Sequence, residues 1–242
     1  MSGHSKWSQI KHKKALTDAR KGVAFGKLSR AISMAARGNP DPATNLRLKG
    51  EIERARSFNM PLDNIERAIR RVSDTSADAL AELQLEVMGP GSVGFLVLAI
   101  TDNSNRTMQE LKQLAASHGG RIASPGSIAW MFRKAGVLRI PLANQDVDAL
   151  QLAAIDAGAD TVDVAEEELV VTCPPERLNA LQSVLAPAPL STTLEFLPTT
   201  FAPQPTGDDL ARIENLESAF EDHNDVQSVF TNVDPTHALS RH

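Results

Sequence analysis

The sequence has no tyrosine, a single cysteine, Cys173, and an aromatic content of only 4%. A lone cysteine excludes an intrachain disulfide and a zinc site built from cysteines. No apolar run reaches the roughly 18 residues that a membrane span requires, and the N-terminus lacks the apolar core of a secretory signal. These absences predict a cytoplasmic protein without a membrane-spanning segment.

Acidic residues are scarce in residues 1–75, which carry 16 Lys and Arg against 7 Asp and Glu, a net charge of +9. Residues 76–242 carry a net charge of −14, although the whole chain is only −5. A chain divided in this way points to a nucleic-acid partner for its basic part. The alternative is a solvated helical surface with an excess of cations.

The basic part combines cations with a tryptophan. Lys and Arg replace the counterions that surround phosphates, and a tryptophan among them can stack on an unpaired base. The alternative for Trp7 is a structural contact with a helix. The predicted nucleic-acid-binding residues are Lys6, Trp7, Lys11, Lys13, Lys14, Arg20, Lys21, Lys27, Arg30 and Arg37.

Helical periodicity dominates residues 1–75, which we predict to form one basic helical domain. Phe25, Leu28 and Ile32 are spaced as one apolar helical face, and the cations of the same segment fall on roughly the opposite side. The patterns predict helices that begin near Ser8, span 20–37, span 42–58 with Asp41 as N-cap, and begin at Met60-Pro61.

Strands alternate with helices after residue 80. The order from residue 136 is β-α-β-β-α-β, which is typical of a ferredoxin-like domain. The elements on either side lack partners of their own, so we expect 136–200 to be inserted in a discontinuous α+β domain of residues 80–133 plus 203–235. We also predict a strand over Ser127–Phe132, and a helix whose start is capped by Thr107 together with Glu110.

The segment TDNSNRT, Thr101–Thr107, lies where a strand ends and a helix begins. Free backbone N–H groups at a helix start suit an anion, which makes Asn103, Asn105 and Arg106 a possible anion site. The alternative is local, with the two asparagines shaping the turn.

Catalysis finds little support. The chain has no GxxxxGK[ST], HExxH or GxSxG motif, and its six histidines are scattered. The acidic run at 166–168 is typical of a solvated hairpin loop. We expect no catalytic residue, bound metal ion, cofactor or small-molecule substrate.

Seven segments spread over the chain together match the pattern of a known family. They are GHSKW (3–7), IKHKKA (10–15), NMPLDNIERAI (59–69), TDNSNRT (101–107), HGG (118–120), GSIAWMF (126–132) and, more loosely, VQSVFTN (226–232). With these segments the chain resembles the YebC family, which includes bacterial probable transcriptional regulators and a mitochondrial activator of cytochrome oxidase translation. The resemblance implies an α+β protein, with a helical N-terminal domain followed by two α+β domains, and regulation linked to nucleic acid.

The sequence therefore predicts a non-enzymatic regulator of gene expression that binds nucleic acid. The resemblance implies that the nucleic acid is DNA and that the protein regulates transcription, but charge alone does not identify the polymer. The first alternative is a translation factor that binds ribosomal RNA and associates with the ribosome. The second alternative is a protein-interaction adaptor that uses the acidic part of the chain.

Overall fold

The structure is a computed structural model that describes residues 18–71, 80–143, 145–165, 167–185, 191–205 and 207–234. These residues form two compact units, described separately below: residues 131–201 with 232–234, and residues 18–130 with 202–231. Among the described residues, no helix is long and apolar enough to cross a membrane.

The described residues contain seven α-helices and eight strands. In chain order these are α1 (Asp18–Ala36), α2 (Leu46–Ser57), α3 (Leu62–Arg70), β1 (Ala81–Met88), β2 (Gly94–Thr101), α4 (Ser104–Ser117), β3 (Arg121–Ile122), β4 (Phe132–Pro141), α5 (Val147–Asp156), β5 (Thr161–Ala165), β6 (Glu168–Cys173), α6 (Leu178–Val184), β7 (Ser191–Pro198), α7 (Gly207–Asp222) and β8 (Val226–Thr231).

The first unit to consider, residues 18–130 with 202–231, contains a sheet of order β3-β1-β2-β8 in which all neighbours are antiparallel. Strand β2 is the nearly continuous apolar run GFLVLAIT and is buried along most of its length. Helix α7 packs on this sheet, and the rings of Phe95 and Phe220 meet edge to face at 6.4 Å between centroids.

Helices α1, α2 and α3 share a small core that includes Leu28, Ile32, Leu48 and Ile65. Helix α1 buries a second side as well, because Ala31 and Met34 cluster with Ile100 of β2. The basic helices and the first sheet therefore belong to one unit. Helix α1 packs against α2 and α3 on one side and against β2 on another.

The other unit contains the sheet of order β5-β6-β4-β7, again antiparallel throughout. Helices α5 and α6 cover it, and Leu138, Leu169 and Leu181 are fully buried between them and the strands. The two sheets confirm the predicted α+β class, and this strand order is that of a ferredoxin-like domain. The division into three domains at the predicted boundaries stays a prediction.

Three local predictions were wrong. Residues 129–131 form a 3₁₀ turn, and the strand begins only at Phe132. The third predicted helix begins later than expected, because Asn45 caps it by accepting the Leu48 N–H at 3.0 Å. Thr107 is not a helix cap either: Asn103 caps α4, and Thr107 is buried in its first turns.

Candidate nucleic-acid interface

Half of the ten predicted nucleic-acid-binding residues precede α1, in the part of the chain outside the described residues. Arg20 and Lys21 lie on α1, but their side chains are outside the described residues. The contacts of these residues with nucleic acid stay predictions. The residues that lie wholly outside the described ranges are Lys6, Trp7, Lys11, Lys13 and Lys14.

Lys27 on α1 is partly buried and donates a hydrogen bond to the backbone carbonyl of Glu221 in α7. Burial lowers the pKa of Lys27 to about 8, and the carboxylates of Glu221 and Asp222 oppose part of that shift. The ammonium group is therefore already engaged inside its own unit.

Arg30 and Arg37 follow on the same helix and are also engaged. Arg30 Nη1 donates to the Asn224 carbonyl at 2.6 Å, and Arg30 Nη2 lies 3.4 Å from the carboxylate of Asp225. Arg37 Nη2 donates to the Leu80 carbonyl at 2.9 Å. These cations join α1 to the elements around the first sheet, and a further contact with phosphate stays a prediction.

Asp225, in the turn between α7 and β8, is the centre of a buried polar cluster. Its carboxylate accepts hydrogen bonds from Thr107 Oγ1 at 2.7 Å and from Arg106 Nη2 at 2.9 Å. Its carbonyl accepts the Ile100 N–H at 2.8 Å. Together with Arg30, these contacts join α1 and α4 to the Asp225 side chain, which is only 4% exposed, and join β2 to its backbone carbonyl.

The environment of Asp225 favours its ionised form. Burial alone would raise the pKa of this carboxyl, but hydrogen bonds from Thr107 and Arg106, and the charge of Arg30, outweigh burial and lower it. The hydrogen bond with Asp225 in turn raises the pKa of Arg106.

The predicted anion site lies in this cluster. Arg106 contacts Asp102 at 3.1 Å and Glu110 at 4.0 Å in addition to Asp225. The side-chain oxygen of Asn103 accepts the Arg106 N–H as the helix cap, and Asn105 is exposed in the first turn. The TDNSNRT segment thus connects α4 to the α7–β8 turn through Asp225. Anion binding by this segment stays a prediction.

A metal ion is poorly accommodated here. The ligand atoms of Glu110, His223 and Asp225 lie within 4.8 Å of one another. However, His223 Nδ1 accepts the Asp225 N–H at 3.1 Å, and its Nε2 lies 3.0 Å from Glu110. With both ring nitrogens engaged and the guanidinium of Arg106 bound to two of these carboxylates, the cluster favours a structural network over a cation site.

Other cations of the basic helices remain open to solvent. Lys49 and Arg56 on α2, Arg67 on α3, and Arg71 just after α3 are exposed. In the part of the chain that the structure describes, no ion pair involves these four side chains. The sequence analysis missed Lys49 and Arg56, since the apolar spacing of α2 gives only a weak indication of which cations remain unpaired.

The sequence analysis also missed Glu86 on β1. Its buried carboxylate accepts backbone N–H groups from Gly126 at 2.6 Å, Ile128 at 2.6 Å and Ala129 at 2.9 Å. Burial alone would raise the pKa of Glu86, but the three N–H donors outweigh burial and lower it. Three backbone N–H groups of the GSIAW segment therefore bind one buried carboxylate, which holds the segment in place.

These features define an α+β protein in which basic helices are joined to one sheet and a second sheet has ferredoxin-like order. The TACO1/YebC protein N-terminal domain matches residues 5–75, and the TACO1/YebC second and third domain matches residues 80–233. The chain belongs to the TACO1/YebC family.

Full-length relatives carry a regulatory name. A probable transcriptional regulatory protein of Chloroflexus aurantiacus is 42% identical over 246 residues, covering 99% of this chain and 98% of that protein. One of Kosmotoga olearia is 39% identical over 239 residues, covering 96% and 94%. The crystal structure of a conserved hypothetical protein from Aquifex aeolicus matches with a TM-score of 0.85 and 34% identity, covering 94% of this chain and 96% of that one. The names of the Chloroflexus aurantiacus and Kosmotoga olearia proteins support a regulatory role.

Proposed function

We propose that this protein regulates gene expression by binding nucleic acid through residues 1–75, without catalysing a reaction, and that it does so in the cytoplasm. The observation that carries the proposal is the separation of charge, +9 over residues 1–75 against −14 over the rest. Phosphates attract the first part and repel the second. Nucleic acid would therefore engage the protein in one orientation.

The contacts of α1 fix this helix, and so fix the position of the basic segment that it belongs to. Lys27, Arg30 and Arg37 hold the helix against neighbouring elements of its unit. Within the described part of the chain, no ion pair involves exposed cations such as Lys49 and Arg56, so these side chains are candidates for contact with phosphates. Phosphate binding in this proposal therefore uses these side chains together with the predicted cations of residues 6–21.

Two observations bear on the identity of the polymer, and they favour different polymers. The relatives are named probable transcriptional regulatory proteins, which favours DNA. Trp7, among the lysines, favours RNA, because a tryptophan in a basic segment suits unpaired bases. The second candidate function is accordingly a translation factor that binds ribosomal RNA on the ribosome.

The test is equilibrium binding of fluorescein-labelled single-stranded RNA and duplex DNA, measured by anisotropy over a range of salt concentrations. Replacing Lys11, Lys13 and Lys14 together with Glu should weaken binding strongly. The slope of log affinity against log salt should flatten by about 0.7 per lost contact on a single strand and about 0.9 on a duplex. An unchanged slope would remove these lysines from the interface.

A matched control makes the same change of charge in the acidic part of the chain. Lys112, Lys134 and Arg212 are exposed, and replacing all three with Glu alters net charge equally. This control should leave the slope near that of the wild type. Equal losses in both variants would show a general charge effect and contradict a localised interface.

A further inference from the structure

The loop of residues 123–130, between β3 and β4, is held unusually firmly for an irregular segment. The Glu86 carboxylate accepts three of its backbone N–H groups, as described above, and the Glu86 carbonyl accepts the Ala123 N–H at 2.8 Å. The side chain of Ile128 is fully buried. One residue of β1 thus fixes the loop at four backbone positions.

This loop presents Trp130 to solvent, with 61% of the residue exposed. The indole is oriented, because Nε1 donates to the Ser127 carbonyl at 2.9 Å. That hydrogen bond satisfies the only polar atom of the side chain. What the ring offers to a partner is therefore its flat π surface, already set in one direction.

An exposed tryptophan whose ring is already oriented is well suited to bind a partner through its ring surface. Its apolar surface remains in water, where burial by a partner is favourable. Because the ring is already fixed, a contact would restrict little further side-chain motion. Stacking is the interaction that such a surface, with no free hydrogen-bonding atom, makes best.

The exposed residues next to Trp130 in the sequence do not form an apolar patch with it. The exposed neighbours in the loop, residues 124–127, are small or polar, and Arg121 at the start of β3 is exposed. Within residues 109–143, which the structure describes throughout, Trp130 is the one exposed large apolar side chain. Protein hot spots are normally surrounded by a wider area of contact.

We infer that Trp130 is a stacking platform for an unpaired base of the bound nucleic acid. This rests on the proposed function and adds to it a second contact, outside residues 1–75, that requires a single-stranded region. The contact is to an uncharged base and not to a phosphate, so the negative net charge of residues 76–242 does not exclude it. Duplex nucleic acid, whose bases are already stacked, would not engage Trp130 in this way.

The test uses the scarcity of aromatic residues. The chain has two tryptophans and no tyrosine, so in a Trp7→Phe variant the indole emission comes from Trp130 alone. The variant is titrated with poly-uridine and with a duplex of equal length, and binding is followed separately by the anisotropy of the labelled oligomer. Saturable quenching by poly-uridine, and much weaker quenching by the duplex, is expected.

The outcomes separate the two claims. Binding seen by anisotropy with unchanged Trp130 emission overturns the stacking inference alone. If neither polymer binds to the variant or to the wild type, the proposed function fails and the inference fails with it.

Substitution of Trp130 in the otherwise wild-type chain gives a second readout. Trp130→Ala should weaken poly-uridine binding roughly 5- to 150-fold, the range for losing one stacked base. The salt slope should not change, because no phosphate contact is lost. Trp130→Phe should restore much of the affinity. Wild-type affinity in Trp130→Ala overturns the inference. The exposed Trp130 ring would then be interpreted as a contact for a protein partner.

Discussion

Replacing Asp225 with Asn tests the joint between the basic helices and the first sheet. The substitution keeps the shape of the side chain and removes its charge. Thr107 can still donate to the remaining oxygen. Arg106 and Arg30 lose their buried carboxylate partner, and depending on its orientation the new amide group can face a guanidinium.

The expected loss of stability is about 2–3 kcal/mol. Removing one partner of a fully buried ion pair costs about 3–5 kcal/mol. A smaller loss is expected here because Arg106 and Arg30 keep access to water, with side chains 43% and 29% exposed, whereas Asp225 is only 4% exposed. The partners left behind can therefore be rehydrated in part.

The assay is urea unfolding at neutral pH, followed by far-ultraviolet circular dichroism. Asp102→Asn is the matched control, since Asp102 contacts the same arginine at 3.1 Å but its side chain is 64% exposed. A surface change of this kind should alter stability by no more than about 0.5 kcal/mol. Equal losses in the Asp225 and Asp102 variants would refute the reasoning that burial makes this contact important.

The difference in unfolding free energy between wild type and Asp225→Asn should depend on pH. Because the pKa of Asp225 is lowered in the folded state, its stabilisation is present above the ordinary aspartate pKa, about 3.9, and is lost as pH falls through the folded pKa. The difference between wild type and Asp225→Asn should therefore persist from pH 7 to pH 5 and shrink in acid. A constant difference down to acid unfolding would contradict the lowered pKa.

Three further predictions concern other buried groups. Glu86→Gln should cost about 1–3 kcal/mol, because an amide cannot accept all three N–H donors. Glu82→Gln, at the exposed start of the same strand, should cost little; urea unfolding measures both. Burial lowers the pKa of Lys27 to about 8, so a cost to stability is present below pH 8 and is relieved as pH rises towards the unfolded value. Unfolding free energies of wild type and Lys27→Gln should therefore diverge in favour of wild type between pH 8 and 10, and parallel curves would contradict this. Burial raises the pKa of Cys173 to about 11, so this thiol should react with a disulfide reagent only as the protein unfolds; rapid labelling of the native protein would show that it is accessible.

The sequence was informative where apolar periodicity decides the structure. The nearly continuous apolar run of residues 94–101 is enough to mark a buried segment, and it forms strand β2. The order of elements predicted from residue 136 was correct, because turn residues and alternation mark the ends of strands such as β5 and β6.

The sequence was uninformative where distant residues decide the structure. Residues 127–131 look like a strand, but Glu86, some 40 positions away, draws their N–H groups into a turn. Thr107 has the spacing of a helix cap, yet its hydroxyl donates to Asp225, 118 positions along the chain. Contacts between such separated residues leave no periodic trace.

The same limit applies to the basic helix. The periodicity of α1 identifies one apolar face correctly, but nothing local shows that Ala31 and Met34 bury a second one against Ile100. The cations near that side, Lys27 and Arg30, are consequently engaged with backbone carbonyls. A pattern of charges on a helix cannot by itself separate cations that bind a partner from those that hold the fold.

Binding of nucleic acid by the basic segment is the central claim, and ultraviolet crosslinking in cells tests it most directly. The wild type and the Lys11, Lys13 and Lys14 to Glu variant would be purified after irradiation, and both the RNA and the DNA recovered would be sequenced. The account predicts crosslinks with the wild type that are largely lost in the variant, at promoters for a transcription regulator or in ribosomal RNA for a translation factor. Equal recovery from both proteins, or none above background from the wild type, would contradict it.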